Sequence, residues 1–374
     1  MLILAVLAAC IPLHAESPGS ASKSDHAVVD AEKTLRRIAF GSCFDQNIPS
    51  LALVPFQPHH DIWDTIAEAQ PDLMLLLGDN IYAKTEDMDV MRREYTKLAA
   101  NRGFQRLRRT VPIFATWDDN DYGRSDVGAE YPKKRESRQI FLDFFDEAMD
   151  SPRRTRDGVY DAKVIGPPGR RTQIILLDTR YFRSPLTRRL ADQPAPPKRR
   201  GPYVPTTDTS STMLGDAQWT WLADQLQSPA ELRIIVSSIQ VISEDHGYEK
   251  WANFPHERTR LFKMIRDTNA EGVLLISGDR HAAELSKMDA GIGYALYDLT
   301  SSSLNKPRLW AKEANRHRVG EIYSGPNFGM ITIDWERPDP LIFLQIHGSN
   351  DKVVIDHEIA QSALRSTPLT ELRP

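Results

Sequence analysis

The chain has 374 residues, 41% of them hydrophobic and 26% charged, so it is long enough to bury one large core and too apolar for a disordered or fibrous protein. Its 47 Lys and Arg against 51 Asp and Glu leave a net charge of −4 and a pI near 6.2, which excludes the basic surplus of a protein built around nucleic acid. Two cysteines, Cys10 and Cys43, are too few for a disulfide framework.

Residues 1–15, MLILAVLAACIPLHA, are almost wholly apolar but shorter than the roughly 20 residues of a membrane-spanning helix. They read as an export signal, cut after Ala15 or ending in a lipobox, Leu7-Ala8-Ala9-Cys10, with Cys10 as a lipid anchor, although no Lys or Arg opens the segment. Residues 16–36 are polar and rich in Ser and Ala, the composition of a flexible tether, which leaves 37–374 as one domain.

From Ile38 onward, short apolar runs each end in a polar cluster. Arg37 to Phe40 precedes Gly41-Ser42-Cys43, and Leu73 to Leu77 precedes Gly78-Asp79-Asn80. Val111 to Thr116 precedes Trp117-Asp118-Asp119, Gln173 to Leu177 precedes Asp178-Thr179-Arg180, and Gly272 to Ser277 precedes Gly278-Asp279-Arg280-His281. Such runs predict buried strands. Helix patterns lie between them, at Asp61 to Gln70, Met88 to Leu98, Arg138 to Phe145, Asp216 to Gln227 and Pro255 to Asp267. Alternating strand and helix predicts an α/β fold, in which ligands bind at the carboxyl ends of the strands. Tyr294 to Thr300, Met330 to Trp335 and Leu341 to His347 read as strands joined without helices. They predict a more antiparallel sheet in the second half, and two α/β halves facing each other as a sandwich. Tyr181 to Met213, rich in Pro, Arg, Ser and Thr, is expected as a long surface loop.

The polar clusters carry the chemistry. Cys43 follows a strand, where its thiol either faces the site or packs as a small hydrophobe. Asp79 and Tyr82, three apart, can turn a carboxylate and a phenol toward one ion. Asp118, Asp119 and Asp121 crowd three carboxylates around Asn120, an expensive arrangement unless a cation or water screens them. Asp279 and His281 can both face one ion. Carboxylates, an imidazole, a phenolate and a thiolate together describe a transition metal beside a harder, oxygen-preferring ion.

Together these segments resemble the alkaline phosphatase D (PhoD-like) phosphoesterases, a branch of the calcineurin-like metallophosphoesterases. The matching motifs include Phe40-Gly41-Ser42-Cys43, Leu77 to Tyr82, Thr116 to Gly123, Leu177 to Arg180, Leu214 to Trp219, Ser237 to Gln240, Trp251 to Pro255, Ser277 to His281, Thr300 to Ser303 and Asn327 to Gly329. They occur in family order between Ile38 and about Trp335. The resemblance implies a four-layer α/β/β/α sandwich of two facing mixed sheets, with iron(III) (Fe3+) and calcium (Ca2+) at the rim. It implies Cys43 and Tyr82 as iron ligands, Asp79 as the bridge, and Asp279, His281, Asp119 and Glu249 as further ligands. Arg180 then reads as a phosphate contact or, equally, as a structural salt bridge. The implied activity is hydrolysis of phosphate monoesters or diesters by a metal-activated water. One position departs from the family's Trp-Asp-Asp-His-Asp pattern. Asn120 replaces the histidine, and an amide donates a hydrogen bond but transfers no proton. That loss raises an alternative from another class, a surface protein that keeps the metals to bind phosphate or a headgroup with little or no turnover.

Overall fold

The computed structural model describes residues 26–48, 61–190 and 201–366. The expected export signal, with Cys10 and Ala15, lies outside these residues, as do residues 191–200 of the expected loop. Among the described residues the strands are β1 (Arg37–Gly41), β2 (Leu73–Leu77), β3 (Ile113–Thr116), β4 (Asp161–Ile165), β5 (Thr172–Leu176), β6 (Leu232–Ser237), β7 (Val273–Ser277), β8 (Ala283–Asp289), β9 (Ala295–Ser301), β10 (Arg318–Tyr323), β11 (Asn327–Asp334), β12 (Leu341–Gly348) and β13 (Val353–Ala360). The α-helices are α1 (Ile62–Glu68), α2 (Met88–Ala100), α3 (Arg102–Thr110), α4 (Asp119–Tyr122), α5 (Lys134–Phe144), α6 (Pro152–Thr155), α7 (Gly215–Leu226) and α8 (Pro255–Asp267).

Two mixed sheets result, in the orders β13-β12-β11-β1-β2-β3 and β10-β8-β9-β7-β6-β5-β4. β1, β2 and β3 run parallel, as do β5, β6, β7 and β9. The period-2 alternation of side chains along a strand assigns the layers. Ile38, Phe40, Leu73, Leu75 and Leu77 join a core with residues of the second sheet, among them Ile234, Val236 and Ile276. The intervening Ala39, Met74 and Leu76 join a second core with Trp63, Leu98, Phe104 and Leu107 from α1, α2 and α3. Leu222 and Leu226 of α7 and Leu261 and Ile265 of α8 belong to the first core. The architecture is the expected α/β/β/α sandwich. Where β1 meets β11 the packing leaves no space for a side chain, because a Cβ on Gly329 would lie 2.1 Å from the Phe40 ring.

Three expectations change. Of the three late strands read from sequence only β9 joins the second sheet, parallel to β7 and antiparallel to β8; β11 and β12 return to pair antiparallel beside β1. The strand β6, buried along its whole length, was not among the predicted runs. Residues 26–36 of the expected tether pack on the domain: Leu35 is fully buried and its carbonyl accepts the Trp335 Nε1–H at 2.8 Å. Gly166 N–H likewise donates to Ala31 O at 2.7 Å. Val29 packs against the same core as Leu35 and helps to anchor the stretch. Among the described residues no helix is long and apolar enough to cross a membrane.

Candidate metal centre

The carboxyl ends of β1, β2, β3 and β7 converge on one rim, and the backbone there is unusual. Cys43, Asp79, Asp279 and His281 all have positive φ, from 52° to 67°. Non-glycine residues adopt this left-handed conformation rarely, at a cost of order 1–3 kcal/mol each, and such residues cluster at functional sites. At Gly78, where φ is +106°, a Cβ would lie 2.6 Å from that of Asp118. The glycine thus lets the β2 turn approach the β3 turn.

Two groups of donor atoms share Asp79. In the first, ligand atoms of Cys43, Asp79 and His281 lie within 4.8 Å of one another. Tyr82 completes it, its hydroxyl donating to Asp79 Oδ2 at 2.9 Å and lying 3.4 Å from His281 Nε2. His281 Nδ1 lies 2.6 Å from the Lys306 carbonyl, which places the proton on Nδ1 and leaves Nε2 as a lone-pair donor. Burial pushes the Cys43 thiol and the Tyr82 phenol well up, Asp79 adding to both, and pushes His281 down. A cation bound here therefore displaces protons from thiol and phenol.

The second group is Asp79, Asp118 and Asp119, again within 4.8 Å. Burial drives Asp118 and Asp119 well above the usual carboxylate range. Asp118 Oδ2 is buried without a hydrogen-bond partner. Asn120 sits between the groups: its N–H donates to Asp79 Oδ1 at 3.2 Å and its amide NH2 to Asp119 Oδ1 at 2.7 Å. Burial pushes Asp279 up to about 7 against the pull of Arg280, with Asp79 among the like charges it feels. Its carboxylate lies outside both tight groups. A soft and imidazole-containing donor set, an all-oxygen set, a shared carboxylate and an orphaned carboxylate oxygen fit a pair of dissimilar cations.

One expected ligand is placed differently. Glu249 does not join the donor groups; Arg180 Nη2 lies 2.7 Å from its Oε2 and Arg183 Nε 3.1 Å from its Oε1. A carboxylate taken up by two guanidiniums has little charge to offer an ion. Arg180, read as a phosphate contact or a structural salt bridge, has a fully buried side chain that also grips Asp118 through Nε at 2.7 Å, the geometry of a salt bridge. Asp121, third of the crowded carboxylates, is structural: it accepts the N–H groups of Asn80, Ile81 and Asp118. Ser302 and Asp126 also lie at the rim. Ser302 lies 3.1 Å from Cys43 Sγ and accepts the His281 N–H; its signal was the Thr300 to Ser303 motif ending β9. Asp126, whose N–H donates to Asp119 Oδ2 at 2.9 Å, gave none.

Residues 38–325 match the family model of the PhoD-like phosphatases. The chain belongs to the PhoD-like phosphatase family. Alkaline phosphatase D of Bacillus subtilis (strain 168) is 20% identical over 267 residues, covering 62% of this chain and 44% of that protein; this PhoD-like chain thus spans less than half the length of the curated relative it matches. The solved structure of PhoD superposes with a TM-score of 0.65 at 16% identity, over 92% of this chain and 74% of the other. Purple acid phosphatase PPD1 from yellow lupin (Lupinus luteus) seeds gives 0.58 at 12% identity, over 93% of this chain and 59% of that one. At these identities the structural matches bear on the fold.

Proposed function

We propose that this PhoD-like chain is an exported, metal-dependent hydrolase of phosphate esters. It would hold iron(III) at Cys43, Tyr82, Asp79 and His281 and calcium at Asp79, Asp118 and Asp119, with Asp279 beside them. The observation that carries the reading is the sharing of Asp79 between a thiol, phenol and imidazole group and a carboxylate group. Such ions supply Lewis-acid polarisation of the ester and activation of a water. Export is proposed on the apolar residues 1–15 alone.

The chain's own residues set the remaining terms. His281 is oriented by the Lys306 carbonyl, and Ser302 fixes both the His281 backbone and the Cys43 sulfur. Asn120 can donate its amide hydrogens at the rim but cannot protonate a departing alkoxide. Esters with good leaving groups should therefore be cleaved better than alkyl esters.

The test is hydrolysis of p-nitrophenyl phosphate and bis(p-nitrophenyl) phosphate with added iron and calcium, against a chelated control. Chelator-sensitive turnover supports the reading, and the ratio of rates gives the preferred ester. Absence of turnover from protein shown to hold both metals would overturn it in favour of phosphate binding without hydrolysis.

A further inference from the structure

The segment between β9 and β10 has a charge character of its own. Residues 306–318 carry Lys306, Arg308, Lys312, Arg316 and Arg318 against the single acid Glu313, in a chain of net charge −4. The acids that pair with these cations lie beneath them. Side-chain exposures are 33%, 39% and 59% for Lys306, Arg308 and Arg316, against 13%, 11% and 11% for their partners Asp45, Glu313 and Asp245. The more exposed member of each of these ion pairs is therefore the cation.

At its tip stand Leu309, 65% exposed, and Trp310, 84% exposed. Other large apolar residues exposed on the described surface, such as Met149 and Leu190, have no exposed large apolar residue next to them in sequence. The six remaining tryptophans are buried or half-buried. Trp310 has φ of 65°, a conformation that bulky residues avoid, so local strain accompanies the display of its ring to solvent. Both flanks are pinned. Arg308 N–H donates to the His281 carbonyl at 2.8 Å and its guanidinium to the Tyr248 hydroxyl at 2.8 Å. On the other side Ala311 is buried, and its N–H donates to Ser324 Oγ at 3.1 Å. The stem thus leans on His281.

We propose that Leu309 and Trp310, with the cations around them, form a tip that inserts into an anionic lipid surface. Tryptophan favours the membrane interface, leucine gains from burial among acyl chains, and cations complement acidic headgroups. A single-stranded nucleic acid would use the ring and the cations but leave Leu309 in water. The lipid contact stands whether or not the chain is a hydrolase; that it brings headgroup phosphates to the metal rim rests on the function proposed above.

Because Trp310 is the one strongly exposed tryptophan, its emission reports on the tip. The full chain is mixed with vesicles of phosphatidylglycerol and phosphatidylcholine carrying brominated acyl chains, with pure phosphatidylcholine vesicles as control. The expected result is quenching by the anionic vesicles, lost on Trp310→Phe, and binding weakened at least about tenfold by the double variant Leu309→Ser/Trp310→Ser, whose melting temperature is unchanged. No quenching by anionic vesicles, quenching that survives in W310F, or undiminished binding of the double variant would overturn the proposal. Binding to poly(dT) without binding to vesicles would overturn it in favour of nucleic acid.

Discussion

Replacing Arg180 by Met removes the centre of a buried ion network while keeping a side chain of similar reach. Arg180 Nε donates to Asp118 Oδ1 at 2.7 Å, Nη1 donates to Glu249 Oε1 at 2.9 Å, and Nη2 lies 2.5 Å from Asp118 and 2.7 Å from Glu249. In the variant Asp118 Oδ1 keeps the Ser238 hydroxyl at 2.6 Å, and Glu249 keeps Arg183 at 3.1 Å. Removing one partner of a buried pair costs about 3–5 kcal/mol, and a loss in that range is expected here because Asp118 is left with no cation while Glu249 retains Arg183. The loss also depends on pH. Burial already raises both carboxyl groups and Arg180 opposes it, so without the guanidinium both rise further. A carboxyl raised above its unfolded value holds a proton in the native state that the unfolded state has released, and stability then falls as pH rises toward the folded value. Urea unfolding at pH 5 and pH 8 should show the larger deficit at pH 8. A deficit below about 1 kcal/mol at both, accompanied by a raised KM for p-nitrophenyl phosphate, would refute the ion-network account and make Arg180 a phosphate contact.

Chelation should lower the melting temperature, because Asp79, Asp118 and Asp119 then face one another without a cation. Restoring an ion at a hundred times its Kd should return about 2.7 kcal/mol, read by differential scanning calorimetry. Asn120→His should raise turnover of alkyl phosphates, by up to the 10²–10⁴-fold roughly available from a general acid; reduced turnover would mean that the amide is itself part of the working site. Glu257 is buried, which disfavours its charge, yet Thr212, Trp219 and the Met213 N–H donate to it and hold its pKa below the usual range. Its contribution is complete above the unfolded carboxylate pKa and is lost as pH falls through the folded one. Glu257→Gln should therefore cost about 1.5–3 kcal/mol at pH 7, the range for a charge-assisted hydrogen bond, and nearly nothing in acid, as urea titrations would show.

The strands that carry the site were legible because each is a complete apolar run between punctuating residues. Leu73–Leu77 is buried at every position, so period and burial agree. Helices were legible for a related reason: Asp61 caps α1 by accepting the Trp63 N–H, and Pro255 opens α8. The break between α2 and α3 was harder to read, since Asn101 closes one helix and caps the next with no proline or glycine between them. Sheet membership was not legible for β11 and β12, because pairing with β1 is set by contacts nearly 300 positions apart that leave no local pattern.

The same distinction explains the site. Cys43, Asp79, Tyr82, Asp279 and His281 follow strand ends directly, and a strand end places a side chain at the rim by its own geometry. Arg180 and Glu249 also follow apolar runs or motifs, yet they are 69 positions apart and neutralise each other. Whether a charged residue near a strand end serves an ion, a substrate or another residue depends on which opposite charge the fold brings within about 3 Å. Local sequence carries no record of that partner. The left-handed backbone at Cys43, Asp79, Asp279 and His281 is nearly as hidden, since Asp and His tolerate positive φ better than most side chains but do not require it. It is the packing of two sheets face to face that brings the four turns together at one rim around Asp79, and the strain accompanies that convergence.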